Sequence, residues 1–191
     1  MAGIFRRNGS ERRIIELRTV FNSPPRYGKG LNWNGYSEHD VANLPCRYLN
    51  QLPEPIIPLT FYKDFKEPLR KSQSQPVEKG AFIQLYQELI IQLPPVRRHI
   101  LLYILDLLAV FASKAEFNRM RSEDLATVFQ RGILSHPQHD LALSENRLSQ
   151  GVVVFLIEHQ DSFLIDDNRF GCKDKVWFEL VEATVSDLLK C

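Results

Sequence analysis

The sequence has 191 residues, of which 44% are hydrophobic and 25% are charged. This composition is typical of a soluble globular protein with one core. The longest apolar run, residues 100–111, is too short to cross a bilayer and contains Asp106, which argues against a membrane-spanning protein. The three cysteines lie far apart without the spacing of a metal site, so we expect reduced thiols in a cytoplasmic protein: Cys46, Cys172 and Cys191.

Charge is distributed unevenly, although the formal net charge is only +1. Residues 1–30 contain six arginines and one lysine against two glutamates, whereas residues 151–191 contain eight acidic and four basic side chains. The basic first segment predicts an anionic partner surface of phosphate or carboxylate groups, or else a helix with a solvated basic face. Nucleic acid is disfavoured, because no aromatic side chains alternate with these arginines as stacking platforms.

The first quarter of the chain predicts two helices. Residues 11–21 should form one, with Ser10 as its N-cap and an apolar face of Ile14, Leu17 and Phe21. Ser37-Glu38-His39-Asp40 resembles a capping box and predicts a second helix over residues 38–51. Pro45 lies inside that helix and should kink or shorten it, at a cost of about 3 kcal/mol.

Prolines exclude a helix over residues 52–58, because each one pushes the residue before it toward extended geometry. A short helix is expected over residues 59–65 and a polar linker over residues 71–76. Residues 78–92 carry apolar side chains at i, i+3, i+4, i+7 and i+8, which predicts an amphipathic helix. These side chains are Phe82, Leu85, Tyr86, Leu89 and Ile90.

The second half of the chain predicts further helices. Residues 96–112 are apolar on nearly all sides, which is typical of a helix in the centre of a bundle. Ser122-Glu123-Asp124 should cap another helix, and residues 147–160 should form the next. Because no segment alternates with a period of two, the sequence predicts an all-α single domain of six or seven helices.

Residues 166–191 form a C-terminal tail whose apolar side chains follow a helical stripe. This stripe contains Trp177, Leu180, Val181, Thr184, Val185 and Leu188. An amphipathic helix needs a surface to cover, and we expect this one to pack on the same domain. Contact with a partner or a membrane is the alternative.

The first ten residues predict a short loop held at both ends. Ile4 and Phe5 can anchor the loop in a core, and Asn8-Gly9 is a turn signal. Between them the paired Arg6 and Arg7 point outward. Such a loop would hold the Arg6 guanidinium on a rigid base, from which it could enter the active site of another protein. A solvated or ion-paired loop arginine is the alternative.

Three stretches, taken in order, resemble the GTPase-activating domain for Rho-family GTPases, the RhoGAP domain. They are Gly-Ile-Phe-Arg-Arg-Asn-Gly-Ser at 3–10, Tyr-Leu-Asn-Gln-Leu-Pro-Glu-Pro-Ile-Ile-Pro at 48–58, and residues 118–129 with Asn-Arg-Met and Leu-Ala-Thr-Val-Phe. Residues 24–31 and 132–140 look like the fungal branch of that family. The resemblance covers residues 3–165, so we interpret 1–165 as a RhoGAP-like domain. The family's domain begins with a helix before Gly-Ile-Phe-Arg, which implies that this first helix is missing here.

The resemblance implies a helical bundle that binds a GTP-loaded Rho-family GTPase and lends it an arginine. By motif position that arginine is Arg6. A protein of this kind needs no cofactor or metal and is not itself an enzyme, since the nucleotide arrives with the partner. The resemblance also implies that six other residues occupy GTPase-contacting positions: Arg7, Cys46, Arg47, Asn50, Arg131 and Gly132.

The chain departs from the family pattern at several of these positions. Family members usually have a basic residue in place of Cys46, and many have arginine in place of Asn50. Where many members read Phe-Gly-Pro-Asn, this chain reads Phe-Gln-Arg-Gly at 129–132. These departures leave open a GTPase-binding module with little or no activation. A helical scaffold or a peripheral membrane adaptor, acting through the tail and the basic first segment, is a further alternative.

Two other constellations favour unremarkable interpretations. The residues His-Pro-Gln-His-Asp at 136–140 contain two histidines, but no second ligand cluster accompanies them, so a polar loop is expected rather than a metal site. The glycines at 28–30 lack the strand and helix of a phosphate-binding loop. No nucleophile-elbow pattern supports a hydrolase.

Overall fold

The computed structural model describes residues 2–72 and 78–163, and their regular structure is entirely helical. The all-α prediction is therefore confirmed. Seven helices of eleven residues or more and one single-turn helix occur in this part of the chain: α1 Glu11–Asn22, α2 Glu38–Asn50, α3 Tyr62–Ser72, α4 Lys79–Gln92, α5 Pro95–Ser113, α6 Ala115–Asn118, α7 Ser122–Ile133 and α8 Leu143–Glu158. Short 3-10 turns occur at Leu59–Phe61, Pro137–His139 and Gln160–Phe163.

Several helix boundaries differ from the sequence predictions. Helix α3 continues to Ser72, so Lys71 and Ser72 are helical rather than part of a linker. Helix α8 begins at Leu143, four residues before the predicted start. The predicted amphipathic helix of the tail lies outside the described residues. Within the described residues, no helix is both long and apolar enough to span a membrane.

The described residues divide into two compact units, of which the first contains residues 2–7, 45–72 and 78–163. In this unit α7 packs against α8 and α5, and α3 packs against α8 and α4. Helix α5 was expected to lie in the centre of the bundle, but within the described part of the chain its buried side chains lie on one face: Leu101, Ile104, Leu105, Leu108 and Phe111. Val96 on the same helix is 71% exposed. The reason is that its packing partners α7, α8 and the 160–163 turn cover one side of α5.

The segment 52–58 is non-helical, as predicted, and it is fixed to the end of α7. Ile56 and Ile57 are fully buried, and their amides donate to the carbonyls of Gly132 (2.9 Å) and Ile133 (3.0 Å). Gly132 also allows α2 to approach α7 closely. A Cβ added there would lie only 2.7 Å from the Cβ of Leu49.

Pro45 neither shortens α2 nor ends it, because the helix runs unbroken from Glu38 to Asn50. The sequence predicted a kink or a shortened helix, and the shortening does not occur. Proline removes one backbone donor from the helix, but the turn that follows buries Cys46 and Leu49. Burial of an apolar side chain such as Leu49 contributes about 1.5–3 kcal/mol, and the two buried side chains together offset the cost of about 3 kcal/mol that the proline imposes.

The second unit contains residues 8–44 of the described chain, and one buried carboxylate joins its two helices. Asp40, in the first turn of α2, accepts hydrogen bonds from the amides of Ser10 (2.6 Å) and Ser37 (2.7 Å) and from Arg13 Nε (2.6 Å). The predicted capping box is confirmed, since Ser37 Oγ accepts from the Asp40 amide at 3.3 Å. Ser10 is the N-cap residue of α1, but its side chain makes no capping bond.

Replacing Gly132 by alanine should destabilise the protein. The added methyl would collide with Leu49 in a packed helix contact, and such overpacking costs about 1–3 kcal/mol. This cost exceeds the gain of about 1 kcal/mol in helix propensity. The measurement is the free energy of unfolding from urea denaturation.

The matched control is Gly80→Ala in α4, where a Cβ would meet no atom within 4 Å. This variant should gain about 0.5 kcal/mol or remain unchanged. Equal stabilisation by both substitutions would contradict the close approach of α2 and α7.

Replacing Asp40 by alanine should lower the free energy of unfolding by about 3 kcal/mol at neutral pH, because it leaves buried N–H donors without an acceptor. Burial raises the pKa of Asp40, but the hydrogen bonds from Ser37, Ser10 and Arg13 outweigh this and hold it below its usual 3.8. The stabilisation is therefore complete above pH 3.8 and is lost as the pH falls through the lower folded pKa.

Urea titrations of the wild type and of Asp40→Ala at a series of pH values test this. The difference between the two proteins should be constant from pH 7 to about 5 and should narrow in acid. The control Asp106→Ala, at an exposed position on α5, should stay within about 0.5 kcal/mol of the wild type. A difference in the free energy of unfolding that widens in acid would contradict a lowered pKa for Asp40.

Candidate functional site

The loop of residues 2–7 is held by two buried side chains, as the sequence predicts. Ile4 is 1% exposed and Phe5 is 8% exposed. The Phe5 ring makes edge-to-face contacts with Phe111 of α5 (4.8 Å between centroids) and with Phe129 of α7 (5.1 Å). The loop is therefore tied to two different helices of the core.

Backbone hydrogen bonds set the shape of this loop. The Gly3 amide donates to the carbonyl of Asn118 at 2.7 Å, and the Gly3 carbonyl accepts from the amides of Arg6 (3.0 Å) and Arg7 (3.1 Å). Gly3 has a φ of +71°, a region that residues with a side chain rarely adopt. The resulting tight turn fixes the backbone of Arg6, the residue that follows the buried Phe5.

The Arg6 guanidinium lies on the surface and makes two contacts. Its Nη1 is 3.2 Å from Oδ1 of Asp124, and its Nη2 donates to the carbonyl of Arg119 at 3.3 Å. The side chain remains 52% exposed. A guanidinium has five N–H donors, and these two contacts with described residues use two of them.

Asn118 is the buried support of this arrangement, and sequence reasoning did not identify it as such. Its Nδ2 donates to the carbonyl of Phe111 at 2.7 Å, and its Oδ1 accepts from the Met120 amide at 2.8 Å. These bonds fix a tight turn in which Arg119 has a φ of +55°. The sequence signal that could have identified this role is an asparagine at the end of a helix, a position at which its side chain often forms hydrogen bonds with the backbone.

The other residues at the positions taken from the family motif divide into exposed and buried ones. Arg7, Asn50 and Arg131 are exposed, and Arg47 is half-buried. Cys46 is buried, and burial raises the pKa of its thiol to about 12. Gly132 is also buried. Both residues are therefore buried in the free protein, and their predicted contacts with a GTPase stay predictions.

Helix α7 contacts both the Arg6 loop and the end of α2. Asp124 near its start contacts Arg6, and Gly132 near its end contacts Leu49 beside Asn50. Eight residues of helix separate the two points, which corresponds to about 12 Å. The Arg6 loop and the end of α2 thus both contact the same helix, α7.

The histidines at 136 and 139 belong to a polar turn against Tyr62, from which their rings lie 5.1 and 5.5 Å. The Tyr62 hydroxyl accepts from Lys66 at 2.7 Å, and Lys66 also pairs with Glu145. Across the described ranges, no group of three or more histidine, cysteine, aspartate or glutamate side chains is placed to hold a metal ion.

Comparison with known sequences gives family-level matches over most of the chain. The RhoGAP domain matches residues 1–138. Rho-GTPase-activating protein 5 of Schizosaccharomyces pombe is 43% identical over 162 residues, which is 85% of this chain and 44% of that protein. Rho-GTPase-activating protein BAG7 of Saccharomyces cerevisiae is 37% identical over 163 residues, which is 85% of this chain and 40% of that protein. The chain thus spans less than half the length of these relatives.

Solved structures with the same fold include the BH domain from Graf, the GTPase regulator associated with focal adhesion kinase. It aligns with a TM-score of 0.72 at 20% identity, covering 86% of this chain and 85% of that one. Human Rho GTPase activating protein 15 aligns with a TM-score of 0.71 at 21% identity, covering 86% and 76%. The sequence matches, the shared fold and the motifs of the Arg6 loop agree, and we conclude that the chain belongs to the RhoGAP domain family.

Proposed function

We propose that the protein stimulates GTP hydrolysis by a GTP-bound Rho-family GTPase, to which Arg6 supplies a catalytic guanidinium. The observation that carries the proposal is a half-exposed guanidinium on a buried base. Arg6 follows the fully packed Phe5, and its side chain is 52% exposed. Membership of the RhoGAP domain family and the names of the fungal relatives support the same activity.

The proposed chemistry follows from where charge develops in phosphoryl transfer. During GTP hydrolysis, negative charge spreads over the oxygens of the transferring phosphoryl group and the leaving group. A guanidinium supplied in trans stabilises that charge, and a site that excludes water strengthens the effect. Such arginines contribute about 10³–10⁵ in rate, equivalent to roughly 4–7 kcal/mol of barrier.

The protein's own share of this work is positioning. The ring of Phe5 and the turn at Gly3 hold the backbone of the loop, so that only the Arg6 side chain must move. A pre-organised group loses less freedom when it reaches the transition state, which is how a fixed loop contributes to rate. Asn50 and Arg131 are exposed on the same unit and are proposed to contact the GTPase.

A second function, binding with little activation, is favoured by one observation. Cys46 is buried with its thiol protonated, although most family members have a basic residue at this position. The surface thus has one cation fewer than the family pattern. Stable binding to the GTP-loaded partner without faster hydrolysis would identify this second function.

Replacing Arg6 by alanine should abolish the stimulation, because it removes the guanidinium that this protein is proposed to supply to the transition state. The loss should be about 10³-fold or more, while the affinity for the GTP-loaded GTPase stays within about tenfold. Arg6→Lys should recover little, since an ammonium lacks the planar fork of donors. The measurements are single-turnover hydrolysis at saturating concentrations of this protein and an equilibrium binding assay.

The matched control is Arg147→Ala, which removes an exposed arginine on α8 and should leave both quantities unchanged. Stimulation that survives Arg6→Ala at the wild-type level would exclude the arginine mechanism while leaving the activity itself intact.

Replacing Arg131 by glutamine should weaken association with the GTPase rather than the catalysed step. Exposed charges at an interface act mainly through the association rate, so we expect a loss of about threefold to tenfold at low salt. The loss should shrink as salt rises toward 0.5 M, because screening removes the contribution. Stopped-flow association measurements at several salt concentrations test this, with Arg147→Gln as the matched control. An unchanged rate at low salt would remove Arg131 from the interface.

A further inference from the structure

Arg6 is held in the free protein by a carboxylate from a distant part of the chain. Asp124 lies 118 residues from Arg6 in sequence, and its Oδ1 is 3.2 Å from Arg6 Nη1. The second acceptor, the carbonyl of Arg119, is neutral and lies 3.3 Å from Nη2. Of these two acceptors, Asp124 carries a charge and the Arg119 carbonyl does not.

Asp124 also has a structural task that does not require its charge. Its Oδ2 accepts the Arg121 amide at 3.1 Å, at the start of α7. An asparagine at this position can accept the same hydrogen bond through its amide oxygen, as asparagine does at many helix starts. The two tasks of Asp124, capping the helix and pairing with Arg6, can therefore be separated by a single substitution.

We propose that Asp124 is a positioning residue. Its carboxylate holds the Arg6 guanidinium against the surface of the free protein and so limits the rate of stimulated GTP hydrolysis. This inference rests on the proposed function. To reach a phosphoryl oxygen, the guanidinium must leave the Asp124 carboxylate, whereas the neutral Arg119 carbonyl can remain an acceptor throughout. A carboxylate beside the incoming phosphates also repels them, because both are negative.

The size of the effect follows from the exposure of the pair. The side chains of Arg6 and Asp124 are 52% and 32% exposed, and ion pairs of this kind contribute little free energy. Removing the charge of Asp124 should therefore raise the maximal stimulated rate by about twofold to fivefold. The gain should decline with salt, since screening already weakens the pair.

The test compares wild type, Asp124→Asn and Glu123→Gln in single-turnover hydrolysis by a GTP-loaded Rho-family GTPase at low salt. Glu123 is the adjacent exposed carboxylate of α7, about 100° away around the helix. The substitution Glu123→Gln removes the same charge without touching Arg6. We expect a faster rate for Asp124→Asn alone, and no effect of that substitution in an Arg6→Ala background. An unchanged or slower rate, or an equal gain for both variants, would overturn the inference.

A second readout does not depend on GTPase activity. Nitrogen NMR of the Arg6 guanidinium in the free protein should show faster rotation of the guanidinium in Asp124→Asn than in wild type, because the holding contact is gone. Asp124→Ser serves if the asparagine variant melts at a lower temperature. If the wild-type protein does not accelerate GTP hydrolysis by the GTPase, the proposed function is refuted. The NMR comparison would then show separately whether Asp124 holds the Arg6 guanidinium. Identical guanidinium signals in the wild type and the variant would refute that contact.

Discussion

The geometry of the candidate site depends on the burial of one aromatic ring. Phe5 contacts Phe111 and Phe129 edge-to-face, and such pairs contribute about 0.5–1.5 kcal/mol each beyond the area they bury. Because the two partners belong to α5 and α7, the loop cannot shift without disturbing both helices. The position of the Arg6 backbone is therefore a property of the core, and the freedom that remains is that of one side chain.

Helix α7 converts this local anchoring into an extended surface. Its first turn provides Asp124, its middle provides Phe129, and its last turn provides Gly132 and Arg131. Phe129 holds the arginine loop, and Gly132 receives both α2 and the 52–58 segment. A loop carries Arg6, while Asn50 and Arg131 lie on helices, and the rigid helix α7 sets the distance between the two ends.

Much of the helical content could be predicted because helices are formed by local interactions. Residues 78–92 were predicted and α4 spans Lys79–Gln92. The box at Ser37 and Asp40 marks the start of α2, since a cap depends only on residues three positions apart. The errors concern helix boundaries, such as the start of α8 at Leu143, and burial. Helix α5 has apolar side chains on most sides, yet one face stays uncovered, because the neighbours that cover a helix come from other parts of the chain.

The sequence by itself determined the helical class, the motif that leads to Arg6 and the apolar pair that anchors it, since each depends on residues close together in the chain. Only the tertiary structure decided which side chains face outward. It buried Cys46, used Gly132 as a contact point for α2, and placed Asp124 beside Arg6 across 118 residues of sequence. Contacts of this kind depend on how whole helices pack, and no local pattern of side chains encodes them.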